Sequence, residues 1–191
     1  MISRIDHVSL AVKDYEKALD FFQNVLGVVP GKGGPDESLK FFWRQTSMGD
    51  LSRLELICPT GEGSFLDGFL KDKKDGGVHH ITLETPDIRE AKKKLEENNI
   101  PYFGYNEIRD DWKELFIHPK HAFGVLIQIA EFNPDDELDD SVKFPRGQKW
   151  SAGKKDNGCT VDFAHPGGGK VRVDLTREEI ERLIRDLKET I

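Results

Sequence analysis

The sequence predicts an α+β fold: two β-α-β-β-β modules related by a pseudo-two-fold, followed by a shorter ββα-like extension. Three observations carry this expectation. A shift of 73 positions lays Ile5–Val12 over Val78–Thr85, with His7 on His80 and Leu10 on Leu83. The same shift carries Asp14 onto Asp87, Ala18 onto Ala91 and Leu54-Glu55-Leu56 onto Ile127-Gln128-Ile129. After Phe132 the pattern stops and an acidic run begins. A repeat of this length is one supersecondary unit used twice. The expected modules are 1–63 and 76–132, making one domain over 1–132, with 133–191 as the extension.

In the first module, residues 4–12 alternate as a half-buried strand does, with Val8, Leu10 and Val12 on one face and His7, Ser9 and Ala11 on the other. Asp14 is placed to cap a helix whose apolar stripe is Ala18, Leu19, Phe22, Val25 and Leu26, closed by Gly27. Gly31–Pro35 reads as a flexible connection. Leu39–Thr46 and Leu51–Cys58 read as strands around a turn at Met48-Gly49-Asp50. In the second of these strands, Arg53, Glu55 and Ile57 share a face. Thr60–Gly76 reads as the linker between modules.

The second module begins at Val78. Parity separates its adjacent histidines: His80, Thr82 and Glu84 share the polar face, and His79 faces the other way with Ile81 and Leu83. Asp87 and Glu90 make a capping pair for a helix through about Glu97. Tyr102–Tyr105, Glu114–His118 and Gly124–Ala130 read as strands, with Gln128 on the face opposite Ile127 and Ile129 and Glu131 off the face of Gln128.

In the extension, Asp135–Asp140 reads as a solvated acidic tether. Cys159–Phe163 and Lys170–Leu175 read as a hairpin around Pro166–Gly169. Thr176 with Glu179 is a capping box for a helix bearing Ile180, Leu183, Ile184, Leu187 and Ile191. This stripe needs a surface to cover, on the repeat pair or on a partner subunit. His165-Pro-Gly-Gly-Gly-Lys170 lacks the spacing of a phosphate-binding loop and reads as a hairpin turn.

Composition narrows the possible partners. The 191 residues suit one domain with an appendage, and 37% apolar with 33% charged residues describes a soluble chain able to bury a core. No apolar run reaches membrane-spanning length, and Met1–Arg4 leads into a strand without a secretory pattern. Two cysteines, Cys58 and Cys159, make no disulfide framework, so a cytoplasmic location is expected. A net charge of −7 without a basic face argues against a nucleic-acid partner. A small-molecule substrate is expected, and no membrane.

Folding the two modules face to face would bring His7, Glu55, His80 and Gln128 into one cleft. Taken singly, a strand histidine is more often structural than a ligand, as are His79, His118 and His121. The four residues matter together because all have the right parity and share one offset. Two imidazoles and two oxygen donors suit a divalent ion such as Co, Zn, Ni, Mn or Fe(II). Open coordination positions would remain for a bidentate substrate.

Several stretches through about residue 132 carry a family resemblance. These are Ile5-Asp6-His7-Val8, Leu54-Glu55-Leu56-Ile57-Cys58-Pro59, Gly68-Phe69-Leu70 followed by Gly76-Gly77-Val78-His79-His80-Ile81, and His118-Pro119-Lys120 before Gly124-Val125-Leu126-Ile127. With these, the chain resembles the vicinal oxygen chelate superfamily of glyoxalase I and the extradiol dioxygenases, and within it most resembles the methylmalonyl-CoA epimerases. The resemblance implies a metal held at His7, Glu55, His80 and Gln128, and a CoA thioester chelated by it. The implied reaction is proton abstraction alpha to the thioester carbonyl. It also implies a homodimer.

At the position of Gln128 those enzymes usually carry a glutamate, which can serve as a base. Glutamine can ligate but cannot take a proton. Glu55 is then the expected catalytic carboxylate, and Glu37, beside Asp36, is the nominee for the second. A glyoxalase-I-like lyase would use the same ligands. A non-catalytic binder of a small ligand, on the same fold, is the reading that Gln128 favours.

Overall fold

Each half of the repeat builds four strands and a helix. In the first half these are β1 (Arg4–Val12), α1 (Tyr15–Asp20), β2 (Val29–Asp36), β3 (Phe41–Ser47) and β4 (Arg53–Pro59). A short helix, α2 (Asp67–Leu70), leads to the second half: β5 (Gly76–Glu84), α3 (Ile88–Glu97), β6 (Phe103–Asn106), β7 (Trp112–Ile117) and β8 (Ile127–Phe132). The computed structural model describes residues 2–49, 52–107, 110–165 and 167–191. Asp50 of the expected turn, Leu51 of the strand after it and Pro166 of the hairpin loop lie outside the described residues.

All eight strands form one sheet in the order β2-β3-β4-β1-β5-β8-β7-β6. Exchanging the halves reproduces the order, so the expected pair of curled sheets is joined edge to edge into one. Within each half the first and last strands pair in parallel, Ser9 opposite Glu55 and Thr82 opposite Gln128. Between the halves β1 and β5 run antiparallel, Arg4 opposite Glu84 and Val12 opposite Gly76.

The two faces of the sheet are covered differently. Helix α3 is capped by Asp87, which accepts from the amides of Arg89 and Glu90. It buries Ile88 and Ala91 on Leu115, Ile117 and Ile129. A second cluster, Ala11, Ile57, Leu66 and Leu70, seats α2 beside the ligand-bearing face. Helix α1 is capped by Asp14 as expected, but it gives way to a π-turn at Phe21–Val25. The wider turn rotates the apolar stripe, and Phe21, Val25 and Leu26 are exposed.

Two readings of the sequence are corrected. Gly31–Pro35 is not a flexible connection but part of β2, paired with β3 across Gly33 and Arg44. Its glycines serve close approach: a Cβ on Gly33 would lie 2.6 Å from the Trp43 carbonyl oxygen, and one on Gly31 would collide with that of Glu137. The acidic stretch is likewise not a free tether throughout. Pro134–Glu137 forms a 3-10 turn against β2, with Glu137 buried and Lys32 Nζ 3.3 Å from its carboxylate.

The chain divides into two compact units, Met1–Asp139 and Asp140–Ile191. The second holds the expected hairpin, β10 (Gly158–Ala164) and β11 (Lys170–Thr176). It also holds a strand the sequence pattern did not reveal, β9 (Trp150–Lys155), giving the order β11-β10-β9. Helix α4 (Arg177–Lys188) starts at the Thr176–Glu179 capping box. No helix among the described residues is long and apolar enough to cross a membrane.

At the joint between the halves, a Cβ on Gly76 would collide with the Ala11 carbonyl oxygen across the β1–β5 ladder. We expect Gly76→Ala to lower stability by about 1–3 kcal/mol, as overpacking does. It should appear as a lower urea midpoint; an unchanged midpoint would contradict the tightness of this joint.

Candidate metal centre

Parity and pairing bring three ligand atoms to one point. His7 on β1, His80 on β5 and Glu55 on β4 offer atoms that all lie within 4.8 Å of one another. Glu55 Oε2 stands 3.7 Å from His7 Nε2 and 3.6 Å from His80 Nε2, and the imidazole centroids are 5.8 Å apart. Ligand atoms at such spacing can be bridged by one cation at about 2.0–2.2 Å from each. His80 Nε2 is buried and makes no hydrogen bond among the described residues. A buried ring nitrogen without a partner is costly unless something binds it. The donor set and this orphaned atom fit a divalent ion.

Gln128 joins the same buried group. Its Oε1 accepts from the Thr82 hydroxyl at 2.5 Å, and its Nε2 donates to Glu114 at 2.6 Å. Because a carboxylate only accepts, Glu114 fixes which end of the amide is oxygen. Thr82 Oγ1 is also 2.8 Å from His7 Nε2, so one hydroxyl lies between candidate ligands from both halves.

Behind His7 lies an ionic network. Asp6 Oδ2 is 2.7 Å from His7 Nδ1, while Gln45 Nε2 is farther, at 3.3 Å. The other oxygen of Asp6 accepts from Arg4 at 2.5 Å and from the buried guanidinium of Arg53. Burial alone would raise the Asp6 pKa, but the His7 hydrogen bond and the Arg53 charge hold it below the usual carboxylate range. Burial raises Glu55, against the opposing pull of His7.

A cleft of roughly 800 Å3, part of it open to solvent, begins at Glu55 and Gln128. Trp43, Phe41 and Trp112 give it apolar walls, and Asp36, Glu114, Glu137 and Lys32 line it with charge. Glu37 is not among the lining residues; it lies on the exposed turn after β2, one position beyond Asp36. His118 caps a 3-10 turn through Lys120, and neither it nor His121 belongs to the ligand group. His79 is packed against Phe65 and Phe69 and touches His80.

The sequence reading missed Asp6, Thr82 and Glu114 as parts of the centre. Parity already puts Thr82 on the ligand face. It also puts Glu114 on the Gln128 face, two residues before Phe116, which pairs with Gln128. For Asp6 parity points the wrong way.

Residues 6–116 match the Glyoxalase/Bleomycin resistance protein/Dioxygenase superfamily. The ethylmalonyl-CoA/methylmalonyl-CoA epimerase of Cereibacter sphaeroides is 34% identical over 136 residues, spanning 69% of this chain and 99% of that protein. The mitochondrial methylmalonyl-CoA epimerase of Homo sapiens is 33% identical over 132 residues, spanning 68% and 74%. The crystal structure of methylmalonyl-CoA epimerase from Mycobacterium tuberculosis superposes with a TM-score of 0.62 at 24% identity, covering 69% of this chain and 89% of that one. A methylmalonyl-CoA epimerase in complex with methylmalonyl-CoA and ammonium gives 0.62 at 23% identity, covering 73% and 100%. This chain belongs to the glyoxalase/bleomycin resistance/dioxygenase superfamily. The matched residues include His7, Glu55 and His80, the candidate metal-ligand group.

Burial pushes the His79 imidazole down to about 4 and, with the neighbouring imidazoles of His7 and His79, holds His80 well below its ordinary range. Both rings are neutral in the folded chain, while an unfolded chain protonates them below about 6.5. The stability they contribute is complete above that pH and is lost as pH falls toward their folded values. Glu55 acts in the opposite sense, so a paired comparison is needed. We expect chelator-treated protein to lose thermal stability from pH 6.5 to 4, and His79→Gln to lose less over the same window. Parallel pH profiles for the two proteins would contradict this.

Proposed function

We propose that this protein is a metal-dependent epimerase that moves the proton alpha to a CoA thioester carbonyl, with a methylmalonyl-CoA-like substrate. The observation that carries the reading is the convergence of His7, His80 and Glu55 from both halves, with Glu55 also lining the cleft. The superfamily membership and the two epimerase relatives above 30% identity support it. The ion would be held by His7, Glu55, His80 and Gln128, its identity left open among Co, Zn, Ni, Mn and Fe(II). When bound, it supplies a positive charge beside the oxyanion that develops as the alpha proton leaves.

The chain's own groups do the rest. Glu55 is the proton carrier on one side of the alpha carbon, and burial has raised its pKa toward the range useful to a base. Inversion needs a second carrier on the other side. It comes from the end of β2, where Asp36 lines the cleft and Glu37 adjoins it. Trp43 and Trp112 exclude water from the walls, and Lys32 is a cation for the substrate's carboxylate to meet. The reading includes a homodimer, and the exposed Phe21, Val25 and Leu26 are side chains that such pairing would cover.

Gln128, an amide tied to Glu114, favours a second reading, a binder of the same ligand without turnover. Solvent deuterium exchange at the alpha carbon of methylmalonyl-CoA separates the two. The epimerase reading expects exchange that stops with chelator and returns with added Co2+. It also expects exchange reduced about 100-fold or more in Glu55→Gln, the scale of general-base loss. Tight binding without exchange would establish the binder; exchange indifferent to chelator would remove the metal from the account.

A further inference from the structure

The repeat places Asp6 before His7 and His79 before His80, at the same offset of 73. In a regular strand adjacent side chains leave opposite faces, so neither residue should reach its neighbour's ring. The β1–β5 ladder is interrupted twice. Its pairing passes from Ile5–Leu83 to His7–Thr82, omitting Asp6, and from Ser9–His80 to Leu10–Val78, omitting His79. Asp6 and His79 are thus the unpaired residues of two bulges, one on each strand. The same two-fold that exchanges the halves exchanges the bulges. A bulge re-aims the side chain of its extra residue.

Both re-aimed side chains meet the same atom of the following ring. Asp6 Oδ2 is 2.7 Å from His7 Nδ1, and His79 Nδ1 is 2.9 Å from His80 Nδ1. The remaining ring nitrogens, both Nε2, are the ones that face Glu55, with His7 Nε2 also 2.8 Å from Thr82 Oγ1 and His80 Nε2 without a hydrogen-bond partner among the described residues. An imidazole that donates from Nδ1 keeps its Nε2 lone pair for a ligand bond.

We propose that Asp6 and His79 are a matched pair of positioning residues, one per bulge, that fix the orientation and tautomer of His7 and His80 for a divalent cation. This rests on the metal-site reading above. The backing differs between the halves. Asp6 is an anion clasped by Arg4 and Arg53, and Arg53 also donates to the Pro134 carbonyl at 3.0 Å and lies 5.4 Å over the Phe132 ring. His79 is an uncharged acceptor set edge-on to Phe69 at 4.9 Å and Phe65 at 5.6 Å. A symmetric fold therefore presents two chemically unequal imidazoles, the carboxylate-backed His7 being the stronger donor.

The test is Co2+ affinity of the full chain, measured by competition with a chromogenic chelator, with the visible d–d spectrum as a second readout. His79→Phe should weaken Co2+ binding about 10–100-fold and alter the spectrum, the scale seen when such outer partners are lost. His79→Asn, which puts an acceptor oxygen where Nδ1 stood, should restore affinity to within a few-fold. Asp6→Asn, chosen because Asp6→Ala would strand the Arg53 guanidinium, should weaken binding while leaving the far-ultraviolet circular dichroism unchanged. Should Asp6→Asn fail to fold, the two His79 variants decide alone. Equal affinity in His79→Phe and His79→Asn, whether weakened or unchanged, would overturn the proposal. A wild-type chain that does not bind Co2+ would instead count against the metal-site reading itself.

Discussion

The antiparallel contact of β1 with β5 is the constraint on which the site depends. Both candidate histidine ligands lie on it, one from each half. Glu55 and Gln128 reach the same point only because β4 and β8 pair in parallel with β1 and β5 in matching register. A slip of one residue in any of these strands would turn the candidate ligand on that strand to the far face. The joint tolerates little slack, since Gly76 lies against the Ala11 carbonyl.

The interior along that joint is unusually polar. Asp6, His7, Gln45, Arg53, His80, Thr82 and Gln128 are all buried. Burying such groups costs free energy unless they are paired, and most here are: Asp6 with Arg53 and His7, Thr82 with Gln128, Gln128 with Glu114. Among the described residues the buried side-chain atoms without a hydrogen-bond partner are Ser9 Oγ, Gln45 Oε1, Arg53 Nε and His80 Nε2, and of these only His80 Nε2 faces the Glu55 carboxylate as a candidate ligand atom. The apolar clusters flank this seam, one under α3 in the second half and one around α2 beside the first. Hydrophobic burial thus stabilises the halves, while their junction is reserved for polar chemistry. Pairing also explains why Arg53, unremarkable in the sequence, is wholly enclosed.

The duplicated architecture and the convergence of His7, Glu55 and His80 were legible because each rests on a strict rule. The offset of 73 and strand parity together select His7, Glu55, His80 and Gln128, and pairing at Ser9–Glu55 and Thr82–Gln128 follows the same offset. What escaped the sequence were departures from that rule. Bulges bring Asp6 and His79 onto rings that parity says they cannot touch. The Gly-Pro stretch of β2 reads as a loop because glycine signals flexibility, whereas here it permits close backbone approach to Glu137 and Trp43. Glu114 obeys parity, but at the offset of 73 its counterpart is Phe41, so the repeat did not single it out. In the second unit, β9 was missed for a simpler reason: Trp150–Lys155 is mostly small or charged and carries no apolar alternation.

The second unit is a three-stranded meander with one amphipathic helix. The ligand group and cleft lie wholly within the first, so the central claim concerns the first alone: one ion is gripped by both halves at once. X-ray absorption at the cobalt edge of protein loaded with one equivalent of Co2+ tests this most directly. The account predicts a single nitrogen–oxygen shell whose outer scattering requires two imidazoles, one from residue 7 and one from residue 80. A spectrum fitted by one imidazole or none, with the metal bound, would contradict it.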